Sequence, residues 1–161
     1  MENQSNRPVD WLEAIIRRQA DKLFRTAIVI MKNKADAEDI LQDVFIKLAE
    51  KSPPFDSLEY ETAWLVKVTV NMCKSRLRFH WRKKTVPLLE TYPVKASDQL
   101  DITQAVLSLP SHFRIAIHLF YYHGYSTREI AEITGRKEST VRKDLTRARR
   151  LLKGYLEGED K

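Results

Sequence analysis

The chain has 161 residues, a net charge of +6 and 43% apolar residues, which allow one domain or two small ones with a core. A single cysteine, Cys73, excludes a disulfide framework, and no apolar run approaches the roughly 20 residues that span a bilayer. Because the N-terminus also lacks an apolar signal segment, we expect a soluble protein of the cytoplasm, and the basic balance favours a polyanionic partner.

An acidic helix is predicted from about Asp36 to Lys51, ending before two prolines. Asp36, Asp39 and Asp43 follow i, i+3, i+7 spacing and should line one exposed face beside Gln42. Carboxylates in the first turns also suit the helix dipole. A metal or acid–base site is disfavoured, since no His, Cys or glycine-rich loop is near. The apolar positions predict a buried face of Ala37, Ile40, Leu41, Val44, Phe45 and Leu48.

A basic segment follows from Ser57 to Lys84. Its apolar residues recur at helical spacing and are predicted to pack inward, with the polar Asn71 beside them: Trp64, Leu65, Val68, Met72 and Phe79. Aromatic residues interleaved with Arg and Lys, as in KSRLRFHWRKK, are typical of proteins that bind single-stranded nucleic acid. A core helix with a solvated cationic end remains the alternative.

The stretch from about Thr85 to Gln99 holds Pro87 and Pro93 and shows little periodicity, so we interpret it as a flexible linker. Period-two alternation is not sustained anywhere, which disfavours strands. The sequence therefore predicts an all-α protein of two small helical domains, residues 1–84 and 100–161, joined by the linker 85–99.

The segment YSTREIAEITGRKESTVRKDLTRARR predicts a helix-turn-helix. Ser126 and Glu129 form a capping box that should start a helix at about Thr127, and Gly135 can adopt the positive φ of a helix end. We expect Ser139 or Thr140 to start the second helix. Its buried stripe is predicted to be Val141, Leu145, Ala148, Leu152 and Tyr155, and the remaining face is rich in Arg and Lys, as DNA binding requires.

No catalytic or metal centre is indicated. His112, His118 and His123 match no metal-ligand spacing and are interpreted as helix-face or turn residues. Cys73 is expected to be a small buried residue. We therefore predict no enzymatic activity and no cofactor.

Four blocks in order carry a family resemblance: DAEDILQDVFIKLAE, AWLVKVTVNMCKSRLR, LSLPSHFR and the helix-turn-helix. Together they resemble a bacterial RNA polymerase sigma factor of the extracytoplasmic function (ECF) group within the sigma-70 family. They are similar to regions 2.2, 2.3–2.4, 4.1 and 4.2. The short linker leaves no room for a region 3 domain, and no N-terminal extension precedes region 2, as this group implies.

The resemblance implies partners and site residues. Region 2.2 would use Asp39, Gln42 and Asp43, with Asp36 at the edge, to bind the clamp helices of the largest subunit of core RNA polymerase. The flap of the polymerase is a further implied partner. The loop at about 52–62 would hold a flipped base of the promoter −10 element, which Asn71 contacts. Further −10 contacts are implied for Lys67, Lys74, Ser75, Arg78, Trp81, Arg82 and Lys83.

Region 4 would read the −35 element in duplex DNA. The groove-facing positions match Arg142, Lys143, Thr146 and Arg147, and phosphate contacts match Ser126, Thr127 and Arg128. An anti-sigma factor is a further implied partner, and such a protein could hold the chain at the membrane. The alternatives are a helix-turn-helix regulator that works without core polymerase, or a sigma-like modulator that needs a second subunit.

The sequence departs from the family pattern at three places. Asp144 stands where a basic or small residue is common, and its carboxylate could accept from a cytosine amino group, pair with a neighbouring Arg, or face solvent. Arg136 follows the turn glycine where an apolar residue is usual. Lys74 and Ser75 stand where an acidic residue is common. These departures leave the promoter bases open.

Overall fold

The computed structural model describes residues 9–82 and 98–158, except for the side chains of residues 81, 82 and 98–101. Every regular element in these residues is helical, which confirms the predicted all-α fold. The chain divides into two compact units, residues 1–90 and 91–161. Among the described residues, no helix is both long and apolar enough to cross a membrane.

The first unit contains three helices that pack against one another: α1 (Val9–Met31), α2 (Lys34–Lys51) and α3 (Leu58–Arg82). The sequence interpretation did not delimit α1, although its apolar residues recur at helical spacing and Ile15, Leu23 and Ala27 are fully buried. They meet a core contributed by α2 and α3, which includes Ile40, Val44, Leu48, Leu65, Val66 and Val70.

Capping side chains set the ends of α2 and α3. The Asn33 side chain accepts a hydrogen bond from the backbone N–H of Asp36 at 2.9 Å, which starts α2. Ser52 ends that helix in the left-handed region with φ 39°, and its N–H donates to the carbonyl of Leu48. The Ser57 hydroxyl accepts from the N–H of Tyr60 at 3.0 Å, so α3 begins at Leu58.

An ion pair holds α1 to α3. Glu61 is buried, and both of its carboxylate oxygens accept hydrogen bonds from Arg18, with Gln19 donating to one of them at 2.8 Å. Burial opposes ionisation of Glu61, but the hydrogen bonds from Arg18 and Gln19 outweigh it and leave the pKa of this carboxyl below its usual 4.5. The pair therefore fixes where α3 begins relative to α1.

The second unit contains α4 (Asp98–Ser108), α5 (Ser111–Ile117), a π-helical turn (His118–Tyr122), α6 (Thr127–Thr134) and α7 (Glu138–Leu156). Helix α7 packs against α4, α5 and α6. The core of this unit includes Leu119, Ile130, Val141, Leu145 and Ala148. The helix-turn-helix is thus built on the side of α7 that carries the predicted apolar stripe.

The predicted capping box is confirmed. The Ser126 hydroxyl accepts from the N–H of Glu129 at 3.1 Å, and the Ser126 N–H donates to the Glu129 carboxylate at 3.0 Å. Gly135 has φ 70° at the end of α6, as expected for this position.

Several local predictions were wrong. Residues 58–62 belong to α3 and not to a loop, because Ser57 caps the helix and Glu61 is buried against Arg18. Helix α7 begins at Glu138, before Ser139 and Thr140, and its cap position is Lys137. Asp98 and Gln99, assigned to the linker, lie in α4, whereas residues 85–97 of that linker lie outside the described residues.

Two aromatic residues predicted to be buried lie at the surface. Phe79 is 53% exposed and Tyr155 is 41% exposed. Each lies near the C-terminal end of a long helix, beyond the part that its neighbours cover, so helical spacing alone misplaced them in the core.

Candidate functional site

The predicted acidic face on α2 is partly paired within the chain. Arg76 of α3 lies between three carboxylates, with distances of 3.6 Å to Asp36, 3.3 Å to Asp39 and 3.8 Å to Asp43. His80 also approaches Asp36, at 3.6 Å. The sequence interpretation treated Arg76 only as part of the basic segment and missed this contact between helices.

Exposure separates these acidic residues into two groups. The side chains of Asp39 and Asp43 are 61% and 54% exposed, and Gln42 is exposed beside them. Asp36 is only 19% exposed because Arg76 and His80 cover it. The surface that a partner can reach therefore consists of Asp39, Gln42 and Asp43, a smaller set than the exposed face that the spacing predicted.

A groove of about 1000 Å³ runs between α2 and α3. Lys67, Asn71 and Ser75 line it from α3, and all three are exposed. They recur every four residues, so one side of the helix presents them together. The groove brings together the predicted base contact and two of the predicted strand contacts.

The other predicted −10 contacts do not line the groove or lie outside the described residues. Lys74 is half-buried and does not line the groove. Arg78 is exposed and donates to the Ser75 hydroxyl at 3.2 Å. The side chains of Trp81 and Arg82, and the whole of Lys83, lie outside the described residues.

An aromatic cluster anchors the connection between α2 and α3. Phe55 packs on Trp11 at a ring distance of 6.5 Å, on Tyr60 at 5.4 Å and on Trp64 at 5.8 Å. Trp64 is half-buried and also lines the groove. The ring cluster holds this connection next to the groove, and Tyr60 remains 45% exposed there.

The basic face of α7 presents the predicted duplex contacts together. A shallow depression of about 400 Å³ is lined by Arg142, Lys143, Thr146 and Arg147, and also by Arg150. All five are exposed. The Thr146 hydroxyl donates to the carbonyl of Arg142 at 3.0 Å.

The N-terminus of α6 is already engaged by the protein. Ser126 takes part in the capping box, and the Thr127 hydroxyl donates to the carboxylate of Glu138 at 2.9 Å. The hydroxyl of Thr127 thus links α6 to α7. Arg128 is exposed, and it is the one of the three predicted phosphate contacts for which no side-chain hydrogen bond is seen in the described part of the chain.

Two departures from the family pattern turn out to be partners. Arg136 and Asp144 form an ion pair with 3.0 Å between Nη1 and Oδ2. The Asp144 side chain is 7% exposed and that of Arg136 is 32% exposed. Of the three alternatives for Asp144, the structure shows pairing with an Arg, and the carboxylate does not face solvent.

Arg149 lies on a different surface from the cations that line the depression. Its Nε donates to the Tyr121 hydroxyl at 2.7 Å, and its guanidinium lies 5.3 Å from the centre of the Phe120 ring. The π-helical turn places these rings there, and periodicity did not predict that turn. Arg149 therefore lies apart from the depression formed by its neighbours.

Two further titratable groups, Cys73 and His118, are buried in the cores of the two units. Cys73 is fully buried, and burial raises the pKa of its thiol to about 12. Burial, with a contribution from His123, lowers the pKa of His118 to about 3. In the described residues, no group of three or more His, Cys, Asp or Glu side chains is arranged to hold a metal ion.

Comparison with known proteins gives the family. Residues 15–83 match Sigma-70 region 2, and residues 99–152 match Sigma-70, region 4. The ECF RNA polymerase sigma factor SigM of Mycobacterium tuberculosis is 31% identical over 153 residues, covering 89% of this chain and 78% of SigM. The chain belongs to the ECF group of RNA polymerase sigma factors.

Other relatives agree with this assignment. The ECF RNA polymerase sigma factor SigE of Mycolicibacterium smegmatis is 31% identical over 157 residues, which cover 89% of this chain but only 61% of SigE. The sigma factor RpoE of Bartonella quintana, solved in complex with the anti-sigma factor NepR, superposes with a TM-score of 0.77 at 25% identity, covering 92% of this chain and 98% of RpoE. As a sigma factor, the chain is a non-enzymatic subunit of the transcription machinery.

Proposed function

We propose that this sigma factor guides core RNA polymerase to promoters by using its two units for two different DNA elements. Residues 1–84 would bind polymerase and the −10 element, residues 100–161 would read the −35 element, and residues 85–99 would connect them. The observation that carries the proposal is that one chain presents an Asn-centred groove suited to a single strand and a basic helix suited to a duplex.

In the −10 element, Asn71 would contact an unstacked base of the non-template strand, with Lys67 and Ser75 holding the backbone on either side. Support comes from their shared side of α3 and from the ring cluster at Phe55, which keeps the preceding connection close. Extruding a base costs a few kcal/mol of stacking, so contacts in the groove must offset that cost. Lys74, Arg78, Trp81, Arg82 and Lys83 would contribute weaker backbone contacts.

In the −35 element, α7 would enter the major groove with Arg142, Lys143, Thr146 and Arg147 facing the bases. Their common exposure supports this role, and a Thr side chain can contact the thymine methyl group. Ser126, Thr127 and Arg128 would lie near phosphates at the N-terminus of α6, where Arg128 and the helix dipole supply the attraction.

Core polymerase would dock on Asp39, Gln42 and Asp43, with Asp36 at the edge. The partner surface would be the clamp helices of the largest subunit, with its flap a further partner for the second unit. Electrostatic pairing at such a surface would favour fast, oriented association. A cytoplasmic location follows from that partner, and an anti-sigma factor, as in the RpoE–NepR complex, would regulate access.

Run-off transcription tests the proposal directly. Purified core polymerase, with and without this protein, would be supplied with sheared DNA from the source organism. New discrete transcripts are expected only when the protein is present, and their start sites would define its promoters. Polymerase binding without transcripts would contradict the proposal and indicate a modulator that needs a second subunit.

The variant Asn71→Ala tests the assignment of the first unit. Because Asn71 is exposed and lies on α3, whereas the proposed polymerase contacts lie on α2, polymerase affinity should be unchanged, while open-complex formation falls. Permanganate reactivity of unpaired thymines in the promoter bubble measures this. Wild-type reactivity at equal occupancy would remove Asn71 from the mechanism.

A further inference from the structure

We propose that Lys47 and Lys51 of α2 form a second wall of the single-strand site and bind the phosphates of the DNA strand whose base Asn71 contacts. The inference rests on the proposed −10 function of the first unit. It adds a DNA contact to a helix that the sequence, by its carboxylates, associated only with polymerase.

The groove has walls from two helices. Lys67, Asn71 and Ser75 line it from α3, and Lys47 and Lys51 line it from α2. Lysines four residues apart lie about 6 Å from each other along a helix axis and point to the same side. The apolar residues that also line the groove are Ile40, Trp64, Val68, Met72 and Phe79.

This composition fits a nucleic-acid strand. Rings and aliphatic side chains offer surfaces against which bases stack, and cations on both sides can follow a backbone of phosphates. Trp64 is half-buried and Phe79 is 53% exposed, so ring surface is available in the groove. A single DNA strand carries one phosphate per nucleotide whatever its sequence, so lysines on both walls can pair with it along its length.

The charges are arranged in order along α2. The ion pairs that this helix makes within the described part of the chain lie between Lys34 and Asp43, in its N-terminal half. Asp43, the acidic residue of the groove lining, is held by Arg76. Beyond it, Lys47 is half-buried and Lys51 is exposed, and both line the groove, whereas the exposed Glu50 does not, so α2 contributes positive charge to the groove next to Lys67.

A simpler explanation accounts for only part of this. Cations in the last turn of a helix interact favourably with its dipole, which suits Lys51. The dipole effect does not require Lys47 and Lys51 to lie on the same side of α2. It also does not require that side to line the groove with Asn71. Their common position in the groove is what indicates a ligand with phosphates.

The salt dependence of DNA binding tests the proposal. Holoenzyme would be formed with wild-type protein, with a Lys47→Ala/Lys51→Ala variant, and with a matched Lys22→Ala/Lys34→Ala control. The control removes the same charge from exposed lysines of the same unit that do not line the groove. The probe is the single-stranded non-template oligonucleotide from a −10 region mapped by run-off transcription.

For single strands, the slope of log K against log salt concentration is about −0.7 per neutralised phosphate. Loss of both lysines should therefore make the slope shallower by about 1.4, while the control keeps the wild-type slope. Asn71→Ala should weaken binding without changing the slope, because it removes no charge. These three results together would support the proposal.

Other outcomes would overturn it. If the Lys47→Ala/Lys51→Ala holoenzyme kept the wild-type slope, the two lysines would not bind the strand. If Asn71→Ala still weakened binding in that case, the proposed −10 function would stand. A loss of polymerase affinity with an unchanged slope would assign the two lysines to the polymerase surface instead. If wild-type holoenzyme did not prefer the −10 oligonucleotide to an oligothymidylate of equal length, the proposed function itself would fail.

Discussion

At the scale of single residues, α7 carries cations with different tasks. Arg147 lies in the shallow depression with Arg142 and Thr146, whereas Arg149 is bound by Tyr121 and Phe120. Both are exposed arginines on one helix with the same charge. They form a matched pair for separating base recognition from general attraction to DNA.

Arg147→Ala should weaken −35 binding by about 1–3 kcal/mol and relax the preference at one base pair, because an Arg that reads a base edge is lost. Arg149→Ala removes the same charge and should leave the base preference unchanged. Competition binding of holoenzyme to promoters with single substitutions in the −35 element measures both. An equal loss on every sequence would show that Arg147 contacts only phosphate.

The ion pair of Arg136 with Asp144 couples the turn to α7. Replacing Asp144 by Asn leaves a partly buried guanidinium with a weaker partner, which should lower the free energy of unfolding by about 1–3 kcal/mol. In the double variant with Arg136→Gln, the two losses should not add, with a coupling of roughly 0.5–3 kcal/mol. Urea denaturation of the four proteins measures this cycle. Additive losses would show that the pair contributes nothing to stability.

At the scale of elements, the contact of α1 with α3 carries a pH dependence. The folded pKa of Glu61 lies below its unfolded value of about 4.5, so its contribution to stability is present above that pH and is lost as the pH falls through the folded pKa. Arg18 keeps its charge throughout this range.

Glu61→Gln should therefore destabilise the protein near neutral pH, and this difference should shrink as the pH falls through the folded pKa and the wild-type carboxyl becomes protonated. The difference in urea midpoint between wild type and variant, followed from about pH 7 to about pH 3, measures this. The same comparison for Glu13→Gln, whose side chain is 53% exposed, serves as the control and should show little change. A constant difference for Glu61 would mean that packing, not charge, explains its effect.

At the scale of the whole molecule, the net charge of +6 is the sum of surfaces that carry opposite charges. On α2, Asp39 and Asp43 present exposed carboxylates, and exposed cations line the groove beside Asn71 and the depression on α7. One small basic chain can thus offer an acidic surface to one partner and basic surfaces to another.

Replacing Asp39 and Asp43 by Lys should abolish polymerase binding, because the reachable acidic surface would become cationic and Arg76 would lose two partners. A Glu13→Lys/Asp21→Lys variant changes the net charge equally on exposed positions of α1 and should bind as wild type. Equilibrium titration with labelled core polymerase distinguishes the two. Unchanged affinity of the α2 variant would remove the acidic face from polymerase docking.

Local signals in the sequence determined most of the secondary structure. The Ser126–Glu129 box, Gly135 and the apolar stripe of α7 fixed the helix-turn-helix, because capping and helical spacing act within a few residues. The same locality explains the failures at Phe79 and Tyr155, since spacing states which side a residue lies on but not whether another helix covers it. The four ordered blocks identified the family, which the comparisons confirmed.

Tertiary structure alone decided which charges meet. Arg76 contacts residues that precede it by 33 to 40 positions, Glu61 reaches Arg18, and Arg136 pairs with Asp144 across a turn. From composition alone, these residues belong to acidic and basic segments that suit separate partners. The sequence does not state the distances between helices, so it does not show that the segments meet. The groove that joins Lys47 and Lys51 to Asn71 has the same origin: its two walls come from helices whose packing is set by the buried core and not by the groove residues themselves.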